Sequence, residues 1–179
     1  NKVAYFQLLS WAWNRDSYST YITQLWEDCF KYLQPEVYDS YLAIARNVSN
    51  CPDSGRIPNG FPESEYLKDK LAAVQEKVLS GSGDLKNDPD VQALLDEFAH
   101  ILSAVEDFRD NCANAALVKE LEPWLKSLSG VAQAGKGGLE AAIALADGNL
   151  EGAWAGFSSA SLGLDQWDNY DTPNYAGTK

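Results

Sequence analysis

Side chains able to do chemistry are few in this chain and lie far apart. His100 is the only imidazole among the 179 residues. A Ser/His/Asp or Cys/His nucleophilic arrangement would have to use it. Yet His100 sits beside Phe98 and Ile101 in the most regularly patterned stretch, which reads as a surface or boundary position on a helix. Cys29, Cys51 and Cys112 are an odd number at wide spacings, so no zinc-ligand pattern forms. Cys29 and Cys112 fall on apolar helical faces, as buried free thiols do. Cys51 lies in a Pro/Gly-rich stretch, and a disulfide from it to either partner stays open.

Acidic groups cluster in two places where paired-carboxylate or cation chemistry would be conceivable. Asp84, Asn87, Asp88 and Asp90 lack the Gly and the terminal Glu of an EF-hand loop and read as a helix-capping turn. Asp165, Asp168 and Asp171 alternate with Trp167 and Tyr170 near the C-terminus. That mixture suits either a solvated linker or a cation or sugar site, since aromatic faces pack on pyranose rings. Gly135-Lys136-Gly137-Gly138 has neither the preceding strand nor the spacing of a phosphate loop. Asn47-Val48-Ser49 fits the short N-glycosylation pattern. No Walker loop, dinucleotide fingerprint or GxSxG elbow occurs. The expectation is no catalytic residue, no metal and no cofactor within these residues.

The elements that would position such groups are helices. Val91, Leu94, Leu95, Phe98, Ile101, Leu102, Val105 and Phe108 recur at three- and four-residue intervals, which winds them onto one stripe. Asp88 can cap that helix and Pro89 suits its first position, where an N–H is dispensable. It should run from Asp88 to about Ala113. Upstream, Val3 to Trp11 reads as a short helix. A second starts near Ser19, with Ile22, Leu25, Trp26, Cys29, Phe30 and Leu33 on one side. Pro35 opens a third, with Val37, Tyr38, Tyr41, Leu42, Ala45 and Val48 inward. Residues Ser49 to Pro62 hold three prolines and two glycines and read as a surface loop. A fourth helix begins at Glu63, with Tyr66, Leu67, Leu71, Val74, Val78 and Leu79 on one face, and stops at Gly81-Ser82-Gly83.

Asn114 to Leu121 supports a further turn or two, and Pro123 either kinks the stretch or restarts it. A long helix follows from Trp124 to Ala146. Gly130, Gly135, Gly137 and Gly138 inside it each cost about 1 kcal/mol relative to alanine. Either a neighbouring backbone packs very close there, the reading preferred here, or the helix breaks. Leu150 to Ser161 forms a last short helix with Leu150, Ala153, Trp154 and Phe157 inward. From Leu162 to Lys179 the periodicity is lost. The fold expected is all-α, an up-and-down antiparallel bundle of three long helices with short helices at the N-terminus and C-terminus.

Apolar residues make up 45% of the chain, too many for a disordered polymer. The formal charge of −12 repels phosphate backbones and anionic lipid, so nucleic acid is not an expected partner. No apolar run is long enough to span a membrane. The abrupt amphipathic start at Asn1-Lys2-Val3 suggests a piece of a longer protein.

Several short motifs recur in the order found in one known family. Asn1-Lys2-Val3-Ala4-Tyr5-Phe6 leads to Trp11-Ala12-Trp13-Asn14, then come Leu121-Glu122-Pro123-Trp124-Leu125 and Leu145-Ala146-Asp147-Gly148 with Ala153-Trp154. Gly177-Thr178-Lys179 closes the set. In this ordered set the chain resembles the helical domain that follows the catalytic barrel in family-84 glycoside hydrolases. These include secreted bacterial β-N-acetylglucosaminidases, some called hyaluronidases, and the eukaryotic enzymes that remove O-linked N-acetylglucosamine. The resemblance implies a secreted or cell-surface parent enzyme whose barrel carries an Asp-Asp pair, with the substrate acetamide as nucleophile. That pair is not in these residues. It further implies three segments: the end of the barrel or a connecting helix over 1–14, the helical bundle over 15–162, and an irregular linker over 163–179. The expected partners are the catalytic barrel of the same chain and a glycoprotein or glycan substrate. Trp13, with Asn14, is where the family pattern approaches the sugar, although a tryptophan closing a helix also serves plain packing. Trp11, Trp13, Tyr18 and Tyr21 are the aromatic docking face on this reading. The rival readings are a free-standing protein-interaction module and a carbohydrate-binding module using Trp167 and Tyr170.

Overall fold

The computed structural model describes residues 31–32, 34–48, 65–81 and 83–168. Among them every regular element is helical. A 3₁₀ turn over Pro35–Val37 leads into α1 (Tyr38–Val48). Then come α2 (Glu65–Ser80), α3 (Pro89–Asn111), α4 (Ala115–Ala146) and α5 (Leu150–Asp168). The all-α bundle is the architecture the apolar periodicity predicts. The first two expected helices, up to residue 30, and the loop of 49–62 lie outside the described residues.

Helix α3 follows its sequence signals closely. The Asp88 carboxylate accepts from the amides of Asp90 and Val91, and Pro89 is the first helical residue. Val91, Leu94, Phe98, Ile101, Val105 and Phe108 are fully buried, and Leu95 and Leu102 pack at the margin of the same cluster. Each of the six contributes about 1.5–3 kcal/mol of apolar burial against a fully exposed chain. Helix α2 meets the core through Val74, with Leu71 and Val78 half-covered. Leu79 was expected inward and is instead 77% exposed. Five residues beyond Val74, it is turned about 140° away around the helix. Val37 of the 3₁₀ turn is buried, and Tyr38 and Tyr41 of α1 pack against the core as expected; Ala43 and Ile44 of α1 are buried beside them.

Two differences lie in the C-terminal half. The long helix begins at Ala115 rather than Trp124, and Pro123 sits inside it. The side chain of Asn114 caps the start by accepting from the Leu117 amide. Leu117, Val118 and Leu121 pack against the core ahead of the proline, and that burial carries the helix through the lost backbone bond. Helix α5 then continues to Asp168, past the expected end at Ser161.

Between the two, Gly148 adopts φ +70, the Gly148 and Asn149 amides return to the carbonyls of Leu145 and Ala144, and Asn149 caps α5 through the Gly152 amide. The turn is thus a glycine-terminated helix end joined directly to a new N-cap.

Helix α4 is the middle layer. Leu125, Leu128 and Ala132 face the core built around α3, and Gly135 gives room to the Phe98 ring on that side. The opposite side carries Gly130, Ala134, Gly137 and Ala141, which meet Ala153, Gly156, Ala160 and Gly163 of α5. A Cβ on Gly137 would stand 2.6 Å from the Ala160 amide nitrogen, and one on Gly130 would stand 2.7 Å from the Gly163 carbonyl. Neither could be placed without moving backbone. Close backbone packing is therefore the correct account of Gly130 and Gly137, whereas Gly135 faces the Phe98 side chain and Gly138 faces open space.

The same seam overturns the expected inward face of α5. Ala153 is buried as expected, but Leu150 and Trp154 are each 75% exposed and Phe157 is 49% exposed. Small residues win the interface because they let two backbones touch along their length, which large side chains would prevent.

Candidate functional site

Of the residues proposed to approach a sugar, Trp13 and Asn14 both lie outside the described residues, as do Cys29, Cys51, Tyr170 and Asp171. His100 is exposed on α3, as a solvent-side helix residue should be. Cys112 is a half-buried free thiol at the C-terminal cap of α3, with Sγ 3.4 Å from Gln34 Oε1.

The acidic turn before α3 is occupied by structure. Lys77 Nζ, in the last turn of α2, donates to both Asp88 oxygens at 2.8 Å and to Asp90 at 2.5 Å. Asp84 accepts from both the side-chain and backbone nitrogens of Asn87. The hydrogen bond from Lys77 holds the Asp88 carboxyl below its ordinary range, against the cost of desolvation. Reciprocally, Asp88 and then Asp90 raise Lys77. Asn87 lowers Asp84 in the same manner. This turn is a clamp between two helices, and its carboxylates spend their lone pairs on that role.

Of the tail cluster, Tyr170 and Asp171 lie outside the described residues; Asp165 and Trp167 stand two residues apart on α5, about 200° around its axis, so those two do not face the same way. The Trp167 backbone lies against Gly130. Lys136, in the glycine-rich stretch, pairs with Glu140 one turn on. No group of three His, Cys, Asp or Glu side chains able to hold a metal exists among the described residues. None of their helices is long and apolar enough to cross a membrane.

What the arrangement offers instead is a surface. On one flank of the α4–α5 seam Gln166 donates to the Lys126 carbonyl, and Gly152 approaches Ala144. The opposite flank carries Gly138 and Leu145 of α4, seven residues apart, while Val131 one heptad earlier packs against the core. Beside them run Leu150, Trp154, Phe157 and Leu164 of α5. Leu145 is 48% exposed and Leu164 50%. Sequence reading missed this face because it assigned the largest residues of α5 to the core. The available signal was a second stripe, Ala153, Gly156, Ala160 and Gly163, with the same three-and-four spacing.

No family model matches the chain. The solved structure of CpGH84D, a family-84 glycoside hydrolase protein, is similar to it over 96% of the chain, with 26% sequence identity and a TM-score of 0.71. The chain spans 28% of the length of that protein. The likeness is therefore to one part of a longer protein.

Proposed function

We propose that this chain is a non-catalytic helical domain of a secreted, family-84-like glycoside hydrolase acting on β-linked N-acetylglucosamine. It braces the catalytic barrel and contributes Trp13 and Asn14 to the substrate side. The likeness to CpGH84D across nearly the whole chain carries this reading. The ordered motifs from Asn1 to Lys179 support it from the sequence side. So does the chemistry of the described residues, whose half-buried charges are used in helix clamps such as Arg109 with Glu122. Residues 1–14 then form the junction to the barrel and residues from 15 onward the bundle. The segment 163–179, expected to be an irregular linker, is helical as far as Asp168.

The test is turnover of an aryl N-acetylglucosaminide by the 179-residue chain and by the longer parent protein. The isolated chain gives none and the parent hydrolyses it. Turnover by the isolated chain, or none by the parent, rejects the reading.

A further inference from the structure

The flank of the α4–α5 seam bearing Leu145, Leu150, Trp154, Phe157 and Leu164 has a definite shape and charge. It is an exposed apolar stripe running along α5, the helix that touches α4 through glycine and alanine, with Leu145 of α4 exposed near its start and Gly138 opening onto space. From Leu150 to Leu164 the stripe is about 21 Å long, the length of a helix of roughly fourteen residues. Helix α5 carries no Lys or Arg, and its Glu151 and Asp165 are exposed acidic residues flanking the stripe; Asp147 of the preceding turn pairs with Lys86.

We infer that this face docks a cationic amphipathic helix, apolar at helical spacing and flanked by lysine or arginine. Apolar area supplies the contact, and the acidic rim selects the partner's charge. A second copy of the chain is disfavoured by the same rim, since two such faces would bring carboxylates together. The inference concerns a surface of these residues alone, so it stands or falls apart from the glycosidase reading.

The test is calorimetric titration of the 179-residue chain with a synthetic helical peptide of about eighteen residues. Leucine occupies its apolar stripe and lysine its flanks. The control peptide carries glutamate in place of lysine. The lysine peptide binds, and the glutamate peptide binds at least about tenfold more weakly. Trp154→Ser with Phe157→Ser leaves net charge unaltered and weakens the lysine peptide by about the same factor. Glu151→Lys with Asp165→Lys, which leaves the apolar stripe intact, shifts preference toward the glutamate peptide. Circular dichroism of each variant checks that α5 remains helical. Equal binding of the two peptides, serine variants that bind as well as the wild type, or no binding at all would overturn the inference. So would sedimentation showing that the face is filled by a second copy.

Discussion

Asp88 shows how one carboxylate is shared between a backbone cap and a side-chain ion pair. It accepts from two amides of α3 and from Lys77 of α2. Its folded pKa lies below the ordinary 3.8. Its stabilising contribution is therefore full above that value and lost as pH falls through the lowered one. Lys77 is raised above 10.5, so its share is full below that value and lost at higher pH. Asp88→Asn keeps a cap acceptor and removes the charge. The melting temperature should drop at neutral pH, and the difference from wild type should close in acid below 3.8; thermal melts across pH check this.

Neighbouring glycines give a sharper contrast. Gly138→Ala should stabilise by about 1 kcal/mol, because a helix gains and the new methyl meets nothing. Gly137→Ala should destabilise by roughly 1–3 kcal/mol, because its methyl would be driven into the backbone of α5. Urea midpoints of the two variants decide it.

Elements were legible in proportion to how far one periodicity governed them. Helix α3 has a single apolar stripe, a capping aspartate and a first-turn proline, and all three appear where the residues place them. Helix α5 has two stripes of equal spacing, one large and one small. Burial by size is a sound rule for a helix on a sparsely packed core, but backbone contact along a glycine and alanine seam favours the small stripe. Helix α4 hid its first turns behind Pro123, whose local cost is offset by packing on both sides of it. Pro123→Ala should restore the amide bond to the carbonyl of Lys119. The propensity difference of about 3 kcal/mol favours alanine inside a helix, so the variant should be more stable in urea denaturation.

At the scale of the whole molecule, function was legible mainly as scarcity. One imidazole and scattered thiols gave no reactive constellation in the sequence, and the ion pairs Lys77–Asp88 and Arg109–Glu122 join neighbouring helices. The candidate sugar contact could be read only from resemblance, since Trp13 and Asn14 have no chemical signature apart from their motif. If the parent is a glycosidase, Trp13→Ala in that longer protein should raise KM or lower kcat for an N-acetylglucosaminide. Unchanged kinetics would remove Trp13 from the substrate side.

The Asp147–Asn149 connection has a consequence for the order in which the chain acquires its shape. Helices α4 and α5 are consecutive in sequence, and their seam closes around a turn whose hydrogen bonds are all local. Little loop entropy opposes their meeting, so this hairpin can assemble early, before distant segments such as α1 arrive on α3. A methyl added at Gly137 would then slow refolding more than it hastens unfolding.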